Sequence, residues 1–164
     1  MTEVQYTPDT PEKMAAQAIM FANRLEKNYK HLRKWARRTG VTSYRLYDKD
    51  IPEIPLAVDL YQEDRTEEKY LHIALYERPY DKPEEAEARW MDAMQQAAAD
   101  IFAIDKGNVY TKIRRHQRGE EAQYERIARS GGKIVIDEGG SKFLVNLSDY
   151  LDTGIFLDHR PARM

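Results

Sequence analysis

Cysteine is absent from the 164-residue chain. Its absence excludes disulfides, thiolate zinc sites and cysteine nucleophiles together, and fits a reducing, cytoplasmic setting. Long apolar runs are lacking too, so no transmembrane helix is expected, and the polar opening M-T-E-V-Q-Y-T-P-D does not read as a signal peptide. Without secretion, the sequon at Asn146-Leu147-Ser148 carries no weight. Histidine is sparse: His31, His72, His116 and His159 stand at spacings that suit no ligand pair, and no H-E-x-x-H occurs, so no metal site is expected. There is no G-x-S-x-G. Ser130-Gly131-Gly132-Lys133 leads into a strand rather than opening a helix, so it is not a phosphate loop and serves backbone geometry. No strand runs into a glycine-rich turn that could cradle a nucleotide. The chain is therefore expected to carry no catalytic residue and no cofactor site of its own.

What is present is charge, at 33% of residues, and its distribution says more than the net −2. From Met20 to Gly40 there are seven cations (Arg24, Lys27, Lys30, Arg33, Lys34, Arg37 and Arg38) against one acid, Glu26. From Val109 to Arg118 there are four (Lys112, Arg114, Arg115 and Arg118) and no acid. The acids gather between Asp48 and Glu68 and between Asp81 and Glu87. Such asymmetry gives the domain a basic side. Arg24, Lys27, Lys30, Lys34, Arg37, Arg38, Lys112, Arg114, Arg115 and Arg118 are the candidates to meet an RNA backbone, with Tyr44, Tyr47 and Tyr110 able to stack on unpaired bases if exposed. The bland alternative is that these cations solvate a helix and pair with nearby acids.

The length suits one domain with a real core. Residues 1–10 read as a flexible lead-in. Thr10 then caps a helix that opens with Pro11, runs to about Arg38 and stops at Gly40 with basic residues in its last turns. Ala18, Ala22, Leu25, Tyr29, Leu32 and Ala36 recur in steps of three and four and form its buried stripe, with Lys27, Lys30, Lys34 and Arg38 on the far side. Strands are predicted at Ser43–Tyr47, Leu56–Tyr61 and Lys69–Glu77, the last two as an antiparallel pair. A second helix follows Pro83, from about Glu84 to about Ile104, with Trp90, Met94, Ala97, Ala98 and Ile101 as its apolar face. A strand at Val109–Arg114 follows. Lys133–Asp137 and Lys142–Asn146 then flank Glu138-Gly139-Gly140-Ser141 as a hairpin. The expected class is α+β, with a mostly antiparallel sheet, two long helices and a closing hairpin, over 11–147. Beyond it, 148–164 runs from a polar turn through Ile155-Phe156-Leu157 to a charged tip, the pattern of a segment that docks onto something else.

The stretch M-F-A-N-R-L-E-K-N-Y-K-H-L-R-K-W-A-R-R-T-G-V-T-S-Y-R-L-Y-D-K-D-I-P-E (Met20 to Glu53), with Ala57-Val58-Asp59, resembles the opening of the K-type 23S rRNA guanine-N7 methyltransferases, one half of the bifunctional K/L enzymes. Lys112-Ile113-Arg114 with Arg115, Gln117 and Gly119, then Gln123-Tyr124, and Val145-Asn146-Leu147 through Arg160 continue it; it is weakest from Gln62 to Asp105. The resemblance implies an accessory domain that positions ribosomal RNA ahead of a Rossmann-like domain binding S-adenosylmethionine, with 148–164 as the junction. Carried over position by position, Thr153, Gly154, Phe156, Asp158, His159, Arg160 and Arg163 are the candidates to border the cofactor pocket. Related methyltransferases have Gln at His159, where His is usual for the K type, and Asn at Ala162. By this resemblance the chain, catalytically incomplete alone, is a part of a longer enzyme. Two other readings remain open: a stand-alone RNA-binding module, and a structural spacer or oligomerisation domain whose RNA affinity would be unmoved by charge reversal at Lys30, Lys34 and Arg38.

Overall fold

The computed structural model describes residues 6–113, 133–138 and 140–147. The first helix, α1, spans Pro11–Thr39. Its start is the expected one: Thr10 Oγ1 accepts from the Lys13 N–H at 3.1 Å, and proline fills the first turn. Its end is also as expected, with Gly40 in the left-handed region at φ 70° and its N–H on the Ala36 carbonyl. Strands β1 (Tyr44–Asp48), β2 (Leu56–Gln62) and β3 (Lys69–Leu75) follow, then α2 (Glu84–Phe102) and, after a short 3₁₀ turn, β4 (Val109–Ile113). The hairpin is β5 (Lys133–Glu138) and β6 (Ser141–Asn146).

The four-stranded sheet has the order β1-β2-β3-β4. Its first two pairings are antiparallel, while β4 lies parallel to β3, with Leu71 opposite Val109 and Leu75 opposite Ile113. A parallel neighbour requires a crossover, and α2 supplies it. Both helices pack on one sheet face. Leu56, Val58 and Leu60 of β2 and Leu71, Ile73 and Leu75 of β3 meet Phe21, Leu25, Trp90 and Met94 there. Trp90 Nε1 donates to Gln17 Oε1 at 2.7 Å, satisfying the indole while tying α2 to α1. The expected stripe on α1 holds, with Leu25 and Ala36 buried and Ala18, Tyr29 and Leu32 packed partly buried against the core, and Phe21 joins it as the large anchor.

The second face is covered as well. Tyr61 packs with Ile134, Ile136, Val145 and Leu147 of the hairpin region, flanked by Tyr70, Tyr110 and Phe143. Backbone bonds fasten the hairpin: the Asp64 N–H donates to the Val135 carbonyl at 2.9 Å, and the Val135 N–H donates to Glu63 Oε2 at 2.8 Å. Lys142 adds a bridge to Asp64 at 2.9 Å. With both faces covered, β2 is buried from Leu56 to Tyr61, and its one charged residue in that span, Asp59, is held by Arg45 Nε at 2.9 Å.

Candidate nucleic-acid interface

The cationic face begins with the periodicity of α1. Burying Phe21, Leu25 and Ala36 turns Arg24, Lys27, Lys30, Lys34, Arg37 and Arg38 to solvent, and all six are exposed. They are not equivalent. Arg24 Nε sits 3.0 Å from Asp50 Oδ2, and Asn28 Nδ2 reaches the same oxygen at 2.8 Å, so Arg24 is committed to the loop after β1. Lys30 has Glu26 one turn earlier at 3.2 Å, an exposed pair of small worth. Lys27, Lys34, Arg37 and Arg38 form no ion pair with another described residue. Asp50 is pulled both ways: burial would raise its pKa, but hydrogen bonds from Asn28, the Asp48 N–H and Arg24 outweigh this and hold it below the ordinary carboxylate range.

Three expectations are corrected. Lys112 is only 7% exposed, because the two-residue period of β4 sends it, with Tyr110, toward the hairpin side of the sheet. Tyr44 and Tyr47 are 5% and 1% exposed and belong to the core, so neither can stack on a base. The physical reason lies in β1, whose pairing with β2 shifts register between Arg45 and Tyr47. The irregularity brings consecutive Leu46 and Tyr47 inside. The Tyr47 hydroxyl then donates to the Ile54 carbonyl at 2.7 Å and accepts from the Ile51 N–H at 3.1 Å. Arg114, Arg115 and Arg118 lie outside the described residues, as do Thr153, Gly154, Phe156, Asp158, His159, Arg160 and Arg163.

At the C-terminal end of α1 the surface becomes concave. A cleft of about 340 Å³ is lined by Tyr29, Arg33, Arg37, Tyr44, Gln62 and Lys69, among others. Arg33 and Lys69 were not among the sequence candidates for RNA. Arg33 stands one turn after Tyr29, with its guanidinium 6.0 Å from the ring centroid, a spacing visible in the sequence. Lys69 arrives from the start of β3, with its ammonium 5.6 Å from the same ring, which no local pattern announces. A second cleft, of about 330 Å³, lies beside the start of α2, and its cations Arg78 and Lys82 are already bound to Glu87.

No protein-family model matches the chain. Over 155 residues, 94% of its length, it is 49% identical to the ribosomal RNA large subunit methyltransferase K/L of Pseudomonas entomophila, covering 20% of that protein. It is 50% identical over 146 residues to the Pseudomonas fluorescens protein of the same name, covering 88% of this chain and 18% of that one. A Stutzerimonas stutzeri relative, again of that name, matches 98% of the chain at 46% identity, and 21% of its own length is covered. Among solved structures, a Streptococcus mutans protein described as a SAM-dependent methyltransferase superimposes with a TM-score of 0.58 at 22% identity, covering 89% of this chain and 34% of that one. Another, described as a methyltransferase complexed with SAH, gives the same values. At that identity the likeness shows a shared fold. Nearly the whole chain is thus homologous to one segment, about a fifth of the total length, of the ribosomal RNA large subunit methyltransferase K/L proteins.

Proposed function

We propose that this chain is an accessory domain that positions ribosomal RNA for an S-adenosylmethionine-dependent 23S rRNA guanine methyltransferase, with methyl transfer itself residing in a separate methyltransferase domain. The observation that carries this reading is the exposed cation row of α1, set opposite its buried stripe, in a chain about half identical to relatives named for rRNA methylation. Lys27, Lys30, Lys34, Arg37 and Arg38 neutralise phosphates and release counterions, a contribution independent of base sequence. Placement is what such a domain adds to the reaction, since a guanine nitrogen must be lined up with the methyl group it receives and the base must leave its stack.

Neither of these two clefts suits the methyl donor. One is lined by ion-paired Arg78, Lys82 and Glu87, the other by Arg33, Arg37 and Lys69, whose charges would repel a sulfonium. In this reading Thr153, Gly154, Phe156, Asp158, His159, Arg160 and Arg163 border the cofactor pocket of the methyltransferase domain instead. RNA binding by this chain is the test, read as fluorescence anisotropy of a labelled 23S rRNA fragment. Reversing Lys30, Lys34 and Arg38 to Glu should weaken binding by about tenfold or more at low salt, with the fold retained by circular dichroism. Unchanged affinity would refute the RNA-positioning role and leave the cations as solvating groups.

A further inference from the structure

We propose that the cleft formed by Arg33, Arg37 and Lys69 around Tyr29 is a phosphate-binding site that anchors one backbone phosphate of single-stranded RNA. It deepens the RNA-positioning reading and rests on that reading for the identity of the polymer, though not for the phosphate.

The charge balance is the first ground. Among the described residues the cleft presents three cations and no carboxylate, with Thr42 and Gln62 as additional hydrogen-bonding groups. Several cations elsewhere are answered by acids: Arg24 by Asp50, Arg45 by Asp59, Arg78 by Glu87, Lys82 by Asp9, and Lys142 by Asp64 and Asp137. In the cleft Arg33 and Lys69 are instead ordered by the face of Tyr29. A cation over a ring keeps its full charge and its outward N–H donors, so it remains available to an anion.

The second ground is preorganisation. Tyr29 is braced edge-on against Phe102, with centroids 5.3 Å apart at 76°, and its hydroxyl accepts from Lys69 Nζ at 3.4 Å. Two cations distant in sequence are thereby held about one ring, at the ends of two different elements. Prepaying their side-chain entropy strengthens binding without adding a contact.

A helix C-terminus ordinarily repels anions. Here two carbonyls near that end are engaged: the Thr39 hydroxyl donates to the Trp35 carbonyl at 2.9 Å, and the Ala36 carbonyl accepts from the N–H groups of Gly40 and Val41. Arg37, in that last turn, sets its positive charge against the helix dipole. Burial foremost, with Tyr29 adding to it, pushes the Tyr44 phenol up to about 12 against the pull of Arg33 and Arg37, so the cleft gains no anion of its own. At about 340 Å³ it has the size of a small-ligand pocket, with room for a phosphate and part of its sugar.

The experiment has two arms on the 164-residue chain. In the first, amide shifts are followed by NMR while 5′-AMP or adenosine is titrated. AMP should move Gly40, Val41, Thr42 and Lys69, and adenosine should not. In the second, a labelled single-stranded 12-mer RNA is titrated against wild type, Arg33→Gln/Lys69→Gln and, as a control, Lys106→Gln. The cleft variant should bind about tenfold more weakly, and its salt dependence should fall by about one unit of slope. Arg37→Gln, which disturbs no ring contact, serves in its place if the double variant melts early. Silent AMP together with undiminished RNA binding by the cleft variant overturns the site while sparing the RNA-positioning reading. AMP shifts in a chain without RNA affinity would uphold the phosphate site and overturn its assignment to RNA.

Discussion

Arg78 and Glu87 meet fork to fork at the start of α2, with Nε to Oε2 and Nη2 to Oε1 both at 2.9 Å. The same guanidinium lies 4.4 Å from the Trp90 ring centroid. Lys82 completes the cluster, 5.1 Å from that ring and 2.8 Å from Asp9 Oδ2. Tyr6 stacks on Tyr80 with centroids 6.2 Å apart, so residues 6–10, read from sequence as lead-in, are held against the segment before α2. An uncapped helix start, with Pro83 offering no side-chain acceptor, is thus stabilised by Glu84, Glu85 and Glu87 and by what Glu87 binds.

Removing one member of such a buried pair leaves the other charge without compensation. Arg78→Met should lower unfolding free energy by about 3 kcal/mol, read from urea denaturation. Trp90 emission in the native state should change too, because its cation is gone. Adding Glu87→Gln in the same chain should recover part of the loss. No recovery would mean that the guanidinium acts through packing on Trp90 rather than through the carboxylate.

Tyr47 offers a smaller and cleaner case. Its hydroxyl closes the turn after β1 by donating to Ile54 and accepting from Ile51. Tyr47→Phe leaves the ring against Phe21, edge-on at 5.2 Å, strips the Ile51 N–H of its hydroxyl acceptor and leaves the Ile54 carbonyl to the Leu56 N–H. A loss of about 1–3 kcal/mol is expected by denaturant titration. Burial foremost pushes the phenol up to about 12, so its absorbance change at alkaline pH should come after that of exposed tyrosines and be missing from the variant.

Local grammar was legible in the sequence wherever a single element decides the outcome. Thr10, Pro11 and Gly40 mark the limits of α1, and the hairpin follows from the turn between Glu138 and Ser141. What escaped depends on tertiary placement. The hydrophobicity of β4 does not say that it pairs parallel to β3, since that follows from α2 crossing over. Nor does anything local say that the hairpin covers the second sheet face, where it packs with Tyr61, Tyr70 and Tyr110, or that Lys112 is buried. Which face of β1 is inside is likewise set by the fold: Tyr44 is buried in step with Leu46, and the register shift after Arg45 brings Tyr47 inside as well. The cation row on α1 was readable because helical period alone sets it, whereas Lys69 joins Arg33 only through the fold.

The Asp50 carboxylate gives the domain an acid-sensitive joint between α1 and the loop after β1. Its folded pKa lies below its ordinary 3.8, so its contribution is fully present above that value and is lost as pH falls through the lower folded one. Stability measured by denaturant midpoint should therefore drop on acidification below about pH 4. Asp50→Asn should lower the midpoint at neutral pH and make the acid limb shallower. An acid limb as steep as wild type would assign the sensitivity to other carboxylates.

Gly40 holds the end of α1 beside the cation cleft, and its role there can be separated from packing. At φ +70° it occupies the left-handed region, yet a Cβ built on it meets nothing within 4 Å. Substitution therefore costs backbone strain alone, about 1–2 kcal/mol for alanine. Gly40→Ala should lower the melting temperature by several degrees for a domain of this size. Gly40→Asn should lose less, because asparagine tolerates that conformation better than any other residue with a side chain. If the two variants melted together, side-chain crowding and not φ would be the constraint, against the open space around this position. RNA affinity supplies the second readout. A frayed last turn loosens Arg37 while leaving Lys27 and Lys34 on their ordered turns, so Gly40→Ala should weaken phosphate-dependent binding modestly and Gly40→Asn hardly at all.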